Sequence, residues 1–226
     1  SDALTAADRA VTIREITREL AATMGWKASF SPKTDPDGVG NGVHIHLSFT
    51  DLQGRPVTFD ASRPGRLSER AGAFAAGVIR HLPALTALAA PTVVSYLRLR
   101  PHFWSAAWTT LGEKDREATL RICPTSERPG HDPSRAFNME FRAADATGSP
   151  HLALAMLIRA GIEGLRANLP QPPIVKGDPE TMSEEDRARL GIRRLPGSLP
   201  EALAALEADP VVCSWVTPTF LECYLG

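Results

Sequence analysis

The 226-residue sequence has few cysteines and no excess of charge of one sign. Its cysteines, Cys123, Cys213 and Cys223, are odd in number and lack CxxC spacing, which excludes a disulfide framework and does not indicate a zinc site. We expect them to be small buried side chains. Lysine and arginine total 25 against 26 aspartates and glutamates, so the formal net charge is -1. Non-specific nucleic-acid binding therefore has no electrostatic support, and we expect no nucleic-acid partner.

Long hydrophobic runs are also missing. No segment approaches the about 18 consecutive apolar residues of a membrane span, and Ser1 to Leu4 lack the basic start of a signal peptide. We therefore expect no membrane association and a reducing, cytoplasmic setting. With 43% hydrophobic and 23% charged residues, the composition is typical of a globular protein, and the length favours one sizeable domain.

Helical periodicity is present near both ends of the chain and in its middle. A helix is predicted from about 68 to 88, and we expect Pro83 to break or kink it. Capping residues at 149–150, 183–186 and 198–201 each predict the start of a further helix. A last helix is predicted after Asp209 and Pro210. The first segment predicts an amphipathic helix with four apolar side chains on one face: Ile13, Ile16, Leu20 and Met24.

Alternation of apolar and polar residues predicts the strands. It is strictest over 43–50, and shorter segments at 26–30, 95–100, 119–123 and 137–142 have the same pattern. If these strands pair in one sheet, their apolar faces rest on the helices. The other face then collects two histidines, a glutamate and several arginines.

The polar strand faces carry the residues with chemical potential. His44 and His46 project from the same face of their strand about 6–7 Å apart. Either could bind a metal or a phosphate, although exposed strand histidines are more often inert. Glu140 and Arg142 repeat this geometry on another strand, where an incidental ion pair is the alternative interpretation.

Three further arginines, Arg98, Arg116 and Arg121, lie in or beside these strands. Clustered arginines repel one another unless an anion lies between them, and the planar guanidinium suits carboxylate and phosphate groups. The residues therefore predict a metal-assisted site for phosphate and carboxylate. The glycine-rich segment 38–42 could bring backbone close to a ligand, although a flexible hairpin entry explains its glycines equally well.

Four segments resemble, in order and spacing, the C-terminal catalytic domain of glutamine synthetases. They are GNGVHIHLS at 40–48, SYLRL at 95–99, REATLRI at 116–122 and EFRAAD at 140–145, and 195–206 is similar to a late helix of the family. The match extends over nearly the whole chain, so residues 1–226 are identified as the C-terminal portion of that domain. The resemblance implies an α+β fold, with a curved antiparallel sheet backed by helices.

The resemblance also implies an ATP-dependent ligase. Such an enzyme phosphorylates the γ-carboxylate of glutamate and lets ammonia or an organic amine displace the phosphate, assisted by Mg²⁺ or Mn²⁺. The matching positions are His44 and Glu140 for the metal, His46, Ser48 and Arg121 for the nucleotide, Gly40, Arg98 and Arg142 for glutamate, and Arg116 and Arg98 for catalysis.

Some positions depart from the family pattern. Trp104 stands where ammonia-using members carry a glutamate, Val39 replaces the usual asparagine, and Asn138 replaces an adenine-contacting arginine. Trp104 slightly favours a ligase for organic amines over glutamine synthetase itself. The alternative from another class is a non-catalytic relative that serves as an assembly or ligand-sensing protein.

For metal the chain carries one carboxylate and one histidine, too few to hold the charges of ATP and an acyl phosphate. We therefore expect residues 1–226 to be a fragment that lacks an N-terminal β-grasp domain and an early catalytic stretch, and to be inactive alone. The family further implies a ring-forming homo-oligomer for the full-length protein.

Overall fold

The computed structural model describes residues 2–126, 128 and 130–226. Its helices are α1 (Ala3–Thr23), α2 (Glu69–Ala89), α3 (Ser95–Arg98), α4 (Pro150–Arg166), α5 (Glu184–Leu190), α6 (Leu199–Glu207), α7 (Pro210–Cys213) and α8 (Pro218–Leu225). Its strands are β1 (Ile45–Leu47), β2 (Leu111–Glu113), β3 (Leu120–Ile122), β4 (Met139–Phe141) and β5 (Ile174–Val175). Side chains that accept a backbone N–H cap the starts of the longer helices: Asp2, Ser68, Ser149, Ser198 and Thr217.

The five strands form one sheet in the order β1-β4-β3-β2-β5. β4 pairs antiparallel with both β1 and β3, so that His46, Glu140 and Arg121 lie side by side across the sheet. β2 is parallel to β3 and to β5. The predicted α+β fold with a sheet backed by helices is confirmed, but the sheet is mixed, because β2 and β5 add parallel pairs that the sequence pattern did not predict.

Helix α2 forms the centre of the core. It packs against α4 and α6, and 16 of its 21 residues are buried. By length and hydropathy α2 could cross a membrane, but 83% of that segment is buried inside the protein, as is typical of a core helix. Pro83 lies within α2 and does not end it, so of the predicted break or kink the break is wrong.

Two predicted strands are wrong. Residues 26–30 form no strand, and residues 95–100 contain α3 instead. Tyr96 and Leu99, three residues apart, are both buried, which is helical spacing. A six-residue window is too short to separate this spacing from strand alternation.

The predicted ends of the chain need two further corrections. The apolar face of α1 is on the surface, with Ile13, Ile16 and Leu20 each at least 58% exposed. After Asp209 the chain forms two helices, α7 and α8, where one was predicted. Of the cysteines only Cys123 is buried, whereas Cys223 is exposed.

Candidate active site

The polar face of β1, β4 and β3 forms the floor of the candidate active site. Leu120, Ile122, Met139 and Phe141 point into the core, so the alternating residues Arg121 and Glu140 must project from the opposite face. His44 and Arg142 extend this polar row beyond the ends of β1 and β4. The alternation seen in the sequence therefore sets which side chains meet here.

Glu140 is the centre of this face. Its Oε1 lies 2.8 Å from His44 Nδ1 and accepts a hydrogen bond of 2.6 Å from Arg142, while its Oε2 accepts one of 2.8 Å from Arg121. Glu140 is 2% exposed. Burial alone would raise the pKa of this carboxyl, but the two arginines and His44 outweigh it and hold the pKa below its usual value. Glu140 is therefore an anion at neutral pH.

His44 and His46 differ in their surroundings. Burial, together with the positive charge of Arg142, lowers the pKa of His44, so its ring is neutral at pH 7 and keeps a lone pair for a ligand. His46 lies farther from the carboxylate, with Nε2 at 3.9 Å from Glu140 Oε1, and its Nδ1 lies 2.8 Å from the Asn138 side-chain oxygen. Of the two histidines, His44 is the one in direct contact with the carboxylate.

Arg98 is buried below the glycine-rich segment. Its terminal nitrogens donate to Ser105 and to the carbonyl oxygens of Ala143 and Ala144, each at 2.9 Å. Burial lowers the pKa of Arg98 to about 10, so the guanidinium remains charged at neutral pH. A Cβ at Gly40 would lie 2.6 Å from Arg98 Cγ, which explains why this position requires glycine.

A cavity of about 430 Å³ joins these residues. Arg116, which is exposed, stands at its edge, and Phe103 and Trp104 complete one wall. Four guanidinium groups and a single carboxylate give the cavity an excess of positive charge, which suits anionic ligands. Seven of the nine predicted site residues line it: Gly40, His44, Arg98, Arg116, Arg121, Glu140 and Arg142.

The other two predicted residues, His46 and Ser48, line a neighbouring groove of about 1260 Å³ between α1, β1 and α4. The structure thus divides the predicted site into an arginine-rich cavity and an adjacent groove along β1. Sequence reasoning missed Phe103 and Ser105, which face the cavity. A single phenylalanine or serine does not by itself indicate a binding site in a sequence. The neighbouring Trp104, which departs from the family pattern, could have directed attention to this segment.

The segment 100–105 has an unusual backbone. His102 and Trp104 have φ of 64° and 53°, values that non-glycine residues rarely adopt. The His102 N–H donates to Glu117 at 3.0 Å, and Arg142 donates to the Trp104 carbonyl oxygen at 3.2 Å. These contacts offset the backbone strain and hold the Trp104 ring, which is 67% exposed, at the cavity mouth.

The cavity supplies only part of a metal site. His44 and Glu140 offer one imidazole nitrogen, the one that does not face Glu140, and one carboxylate, a donor pair that suits Mg²⁺ poorly alone and Mn²⁺ better. Among residues 2–126, 128 and 130–226, no group of three or more metal-binding side chains is found. These two residues can therefore contribute to a divalent metal site but cannot complete it.

A family model described as the catalytic domain of glutamine synthetase matches residues 1–226. The chain belongs to the glutamine synthetase family. Members of this family generally use ATP and divalent metal ions. The predicted family is thereby confirmed.

Two curated relatives illustrate the range of the family. The chain is 40% identical over 221 residues to gamma-glutamylpolyamine synthetase GlnA3 of Streptomyces coelicolor, covering 98% of this chain and 47% of that protein. It is 36% identical over 211 residues to glutamine synthetase of Halobacterium salinarum, covering 93% of this chain and 45% of that protein. The chain thus spans about half the length of the curated relatives it matches.

Solved structures give the same family. A crystal structure of a novel glutamine synthase homolog is 45% identical with a TM-score of 0.84, covering 97% of this chain and 48% of that one. A complex of GmaS with ADP is 28% identical with a TM-score of 0.81, and the match covers 100% of this chain and 50% of that one. The fold of this chain is therefore that of glutamine synthetase homologues.

Proposed function

We propose that the protein containing this chain is an ATP-dependent ligase that joins the γ-carboxylate of glutamate to an amine through γ-glutamyl phosphate. The observation that carries the proposal is the cavity in which four arginines surround one buried carboxylate. Phosphoryl transfer requires mainly positioning and charge neutralisation, and this cavity provides both. Membership of the glutamine synthetase family supports the same reaction.

Each side chain takes a role that its contacts support. Arg142 and Arg98 both line the cavity and would serve the glutamate carboxylates. Arg98 would do so indirectly, through the Ala143 and Ala144 backbone to which it donates. Arg116 has an exposed side chain at the cavity edge and would reach the transferring phosphoryl group. Arg121 would contact the ATP phosphates, and His46 and Ser48 would contact the nucleotide from the adjoining groove.

His44 and Glu140 would hold a divalent cation, Mg²⁺ or Mn²⁺. Such a cation neutralises phosphate charge when it is bound. Because two donors do not complete a metal site, we propose that further carboxylates come from outside residues 1–226. Residues 1–226 alone are then expected to release no ADP from ATP. For the whole protein we propose a cytoplasmic, ring-forming homo-oligomer.

We propose an organic amine as the second substrate, with ammonia as the alternative. The exposed Trp104 ring gives the cavity mouth an aromatic face, which attracts an alkylammonium ion through both its apolar chain and its charge. The 40% identity to a gamma-glutamylpolyamine synthetase supports an organic amine, and the 36% identity to a glutamine synthetase supports ammonia.

The experiment is ADP release by the full-length protein with glutamate, ATP and Mg²⁺, offering ammonium, methylamine, ethanolamine and putrescine in parallel. We expect turnover with at least one organic amine to exceed that with ammonium. Turnover with ammonium alone would identify a glutamine synthetase. No turnover with any amine, combined with measurable glutamate binding, would favour the non-catalytic ligand-sensing relative.

Trp104 gives a test of amine choice within the same assay. Trp104→Glu is expected to raise ammonium use relative to organic amines by about 10-fold, because a carboxylate replaces the aromatic face with an ammonium partner. Trp104→Phe is the matched control, since it keeps an aromatic ring. An unchanged ratio in Trp104→Glu would show that this side chain does not select the amine.

A further inference from the structure

Lys33 is a buried lysine that does not line the cavity. It is 5% exposed and lies in the segment that leads into the glycine-rich residues 38–42. Its Nζ donates to the Pro36 carbonyl oxygen at 3.3 Å and to the Gly38 carbonyl oxygen, and it lies 4.2 Å from the centre of the Phe103 ring. Among the residues that the structure describes, no carboxylate lies within ion-pair distance of this ammonium group.

Burial of an ammonium group without a counterion is costly, so the groups around it must compensate. Two carbonyl oxygens and an aromatic face provide this compensation for Lys33, and each of them is effective only while it stays in contact. The ammonium group therefore joins two segments that are distant in sequence, residues 36–38 and Phe103.

These two segments support facing parts of the substrate cavity. Residues 39–42 follow Gly38 directly and line the cavity, and Phe103 and Trp104 line it from the other loop. The Asn41 N–H donates to the Pro32 carbonyl oxygen at 2.8 Å, which closes the first loop beside Lys33. The position of Gly40 against Arg98 thus depends on a loop whose base Lys33 holds.

We propose that Lys33 is a positioning residue that fixes the loop 36–42 against Phe103 and thereby sets the affinity of the site for glutamate. This inference rests on the proposed function, because it takes the cavity between these loops as the glutamate site. The nucleotide contacts proposed for His46, Ser48 and Arg121 come from β1 and β3 or their ends and not from these two loops, and Arg121 is held by Glu140 of β4. Loss of the Lys33 contacts should therefore affect glutamate binding far more than ATP binding.

The first test compares Lys33→Met with Lys27→Met in the full-length enzyme. Both variants remove one positive charge, but Lys27 is exposed. Lys33→Met is expected to raise the KM for glutamate about 10-fold or more, as expected for the loss of hydrogen bonds from a charged group, and to leave the KM for ATP within about twofold. Equal changes in both KM values, or a glutamate KM like that of Lys27→Met, would overturn the proposal.

A second readout does not depend on ligase activity. Amide hydrogen exchange of residues 36–42 and 102–105 should become about 10-fold faster in Lys33→Met while α2 and α4 keep their protection. Unchanged exchange in these loops would refute the positioning role even if the parent protein proves to have no ligase activity. An inactive parent with faster loop exchange in the variant would instead refute only the proposed function.

Phe103→Leu provides a variant that keeps the ammonium group and both carbonyl contacts. It removes the aromatic face from Lys33, so a smaller change of the loop exchange in the same direction is expected. Because Phe103 itself lines the cavity, the glutamate KM of this variant does not isolate the Lys33 contact, and exchange of residues 36–42 is the deciding readout. If Lys33→Met does not fold, exchange of that loop equal to the parent's would contradict the proposal.

Discussion

At the scale of single residues, Glu140 is the carboxylate that links the charged side chains of the cavity. Its two oxygens contact His44, Arg121 and Arg142. Removal of the whole side chain would leave two guanidinium groups partly buried without a counterion, which destabilises proteins by about 3–5 kcal/mol. A test of metal binding therefore needs a substitution that keeps the shape of the side chain.

Glu140→Gln keeps the size and one acceptor oxygen but removes the counterion of Arg121 and Arg142, so circular dichroism must first show that the variant is folded. We expect the apparent affinity for Mn²⁺ to fall at least about 10-fold, since a carboxylate is the donor that a hard cation prefers. A Mn²⁺ titration followed by electron paramagnetic resonance measures it in the full-length protein. Glu19→Gln, on the exposed face of α1, is the control. An unchanged titration would remove Glu140 from the metal site.

Arg116 differs from the other arginines of the cavity because it is exposed. Its backbone oxygen accepts a hydrogen bond of 3.0 Å from Arg142. Arg116→Ala keeps that backbone contact. We expect kcat to fall about 100-fold with little change in ATP affinity, because a group that meets the transferring phosphoryl acts mainly in the transition state.

The measurement for Arg116→Ala is steady-state ADP release together with ATP binding by calorimetry. Arg70→Ala, an exposed arginine at the start of α2, serves as the control. A loss confined to ATP affinity would assign Arg116 to nucleotide binding instead.

At the scale of secondary-structure elements, the contact between α2 and α4 depends on glycines. A Cβ at Gly77 would overlap the Ala160 carbonyl oxygen, and one at Gly164 would overlap the Ala73 carbonyl oxygen. The two helices thus approach at backbone distance, which only glycine permits. The sheet that carries the site rests on this helix layer.

Gly77→Ala should therefore lower the free energy of unfolding by about 3 kcal/mol, because the added methyl group meets rigid backbone and the helices must separate. Urea unfolding followed by circular dichroism measures the change. Gly197→Ala is a matched control, since a Cβ there would be 3.6 Å from the nearest side-chain atom, Glu201 Oε2. Equal stability of the two variants would contradict the tight packing of α2 on α4.

At the scale of the whole molecule, the two tyrosines are both removed from solvent by the packing of distant segments. Tyr96 in α3 is 4% exposed, and the hydroxyl of Tyr224 in α8 donates to the Ala87 carbonyl oxygen at 2.9 Å. Burial raises the pKa of both phenols above the ordinary value of 10.0. The fold therefore favours their neutral forms.

The sign of the pH dependence follows from these raised pKa values. The contribution of the tyrosines to stability is complete below pH 10.0 and decreases as the pH rises above it, because the unfolded chain ionises first. We expect the urea midpoint to fall between about pH 9 and about pH 11, and to fall less in Tyr96→Phe and Tyr224→Phe. An equal fall of the urea midpoint with pH in the parent and in both variants would contradict the assignment of this pH dependence to the tyrosines.

Much of the fold and site followed from the sequence where the pattern is local. The alternation at 43–50 and 137–142 placed His44 and Glu140 on one polar face, and the structure confirms that they are in contact. Cap residues such as Ser149 and Ser198 marked helix starts correctly. The family followed from four short segments in order. Each of these features depends on neighbouring residues in the chain, which a sequence displays directly.

Other features depend on which distant segments pack together, and only the tertiary structure decided them. These include the parallel pairing of β2, the use of Arg98 to bind the carbonyl oxygens of Ala143 and Ala144, and the enclosure of Lys33 by Gly38 and Phe103. The sequence by itself determined the residue types and the strand faces of the site. Packing decided which of those groups remain free for a ligand, because burial and hydrogen bonding between remote segments are set only when the whole chain is folded.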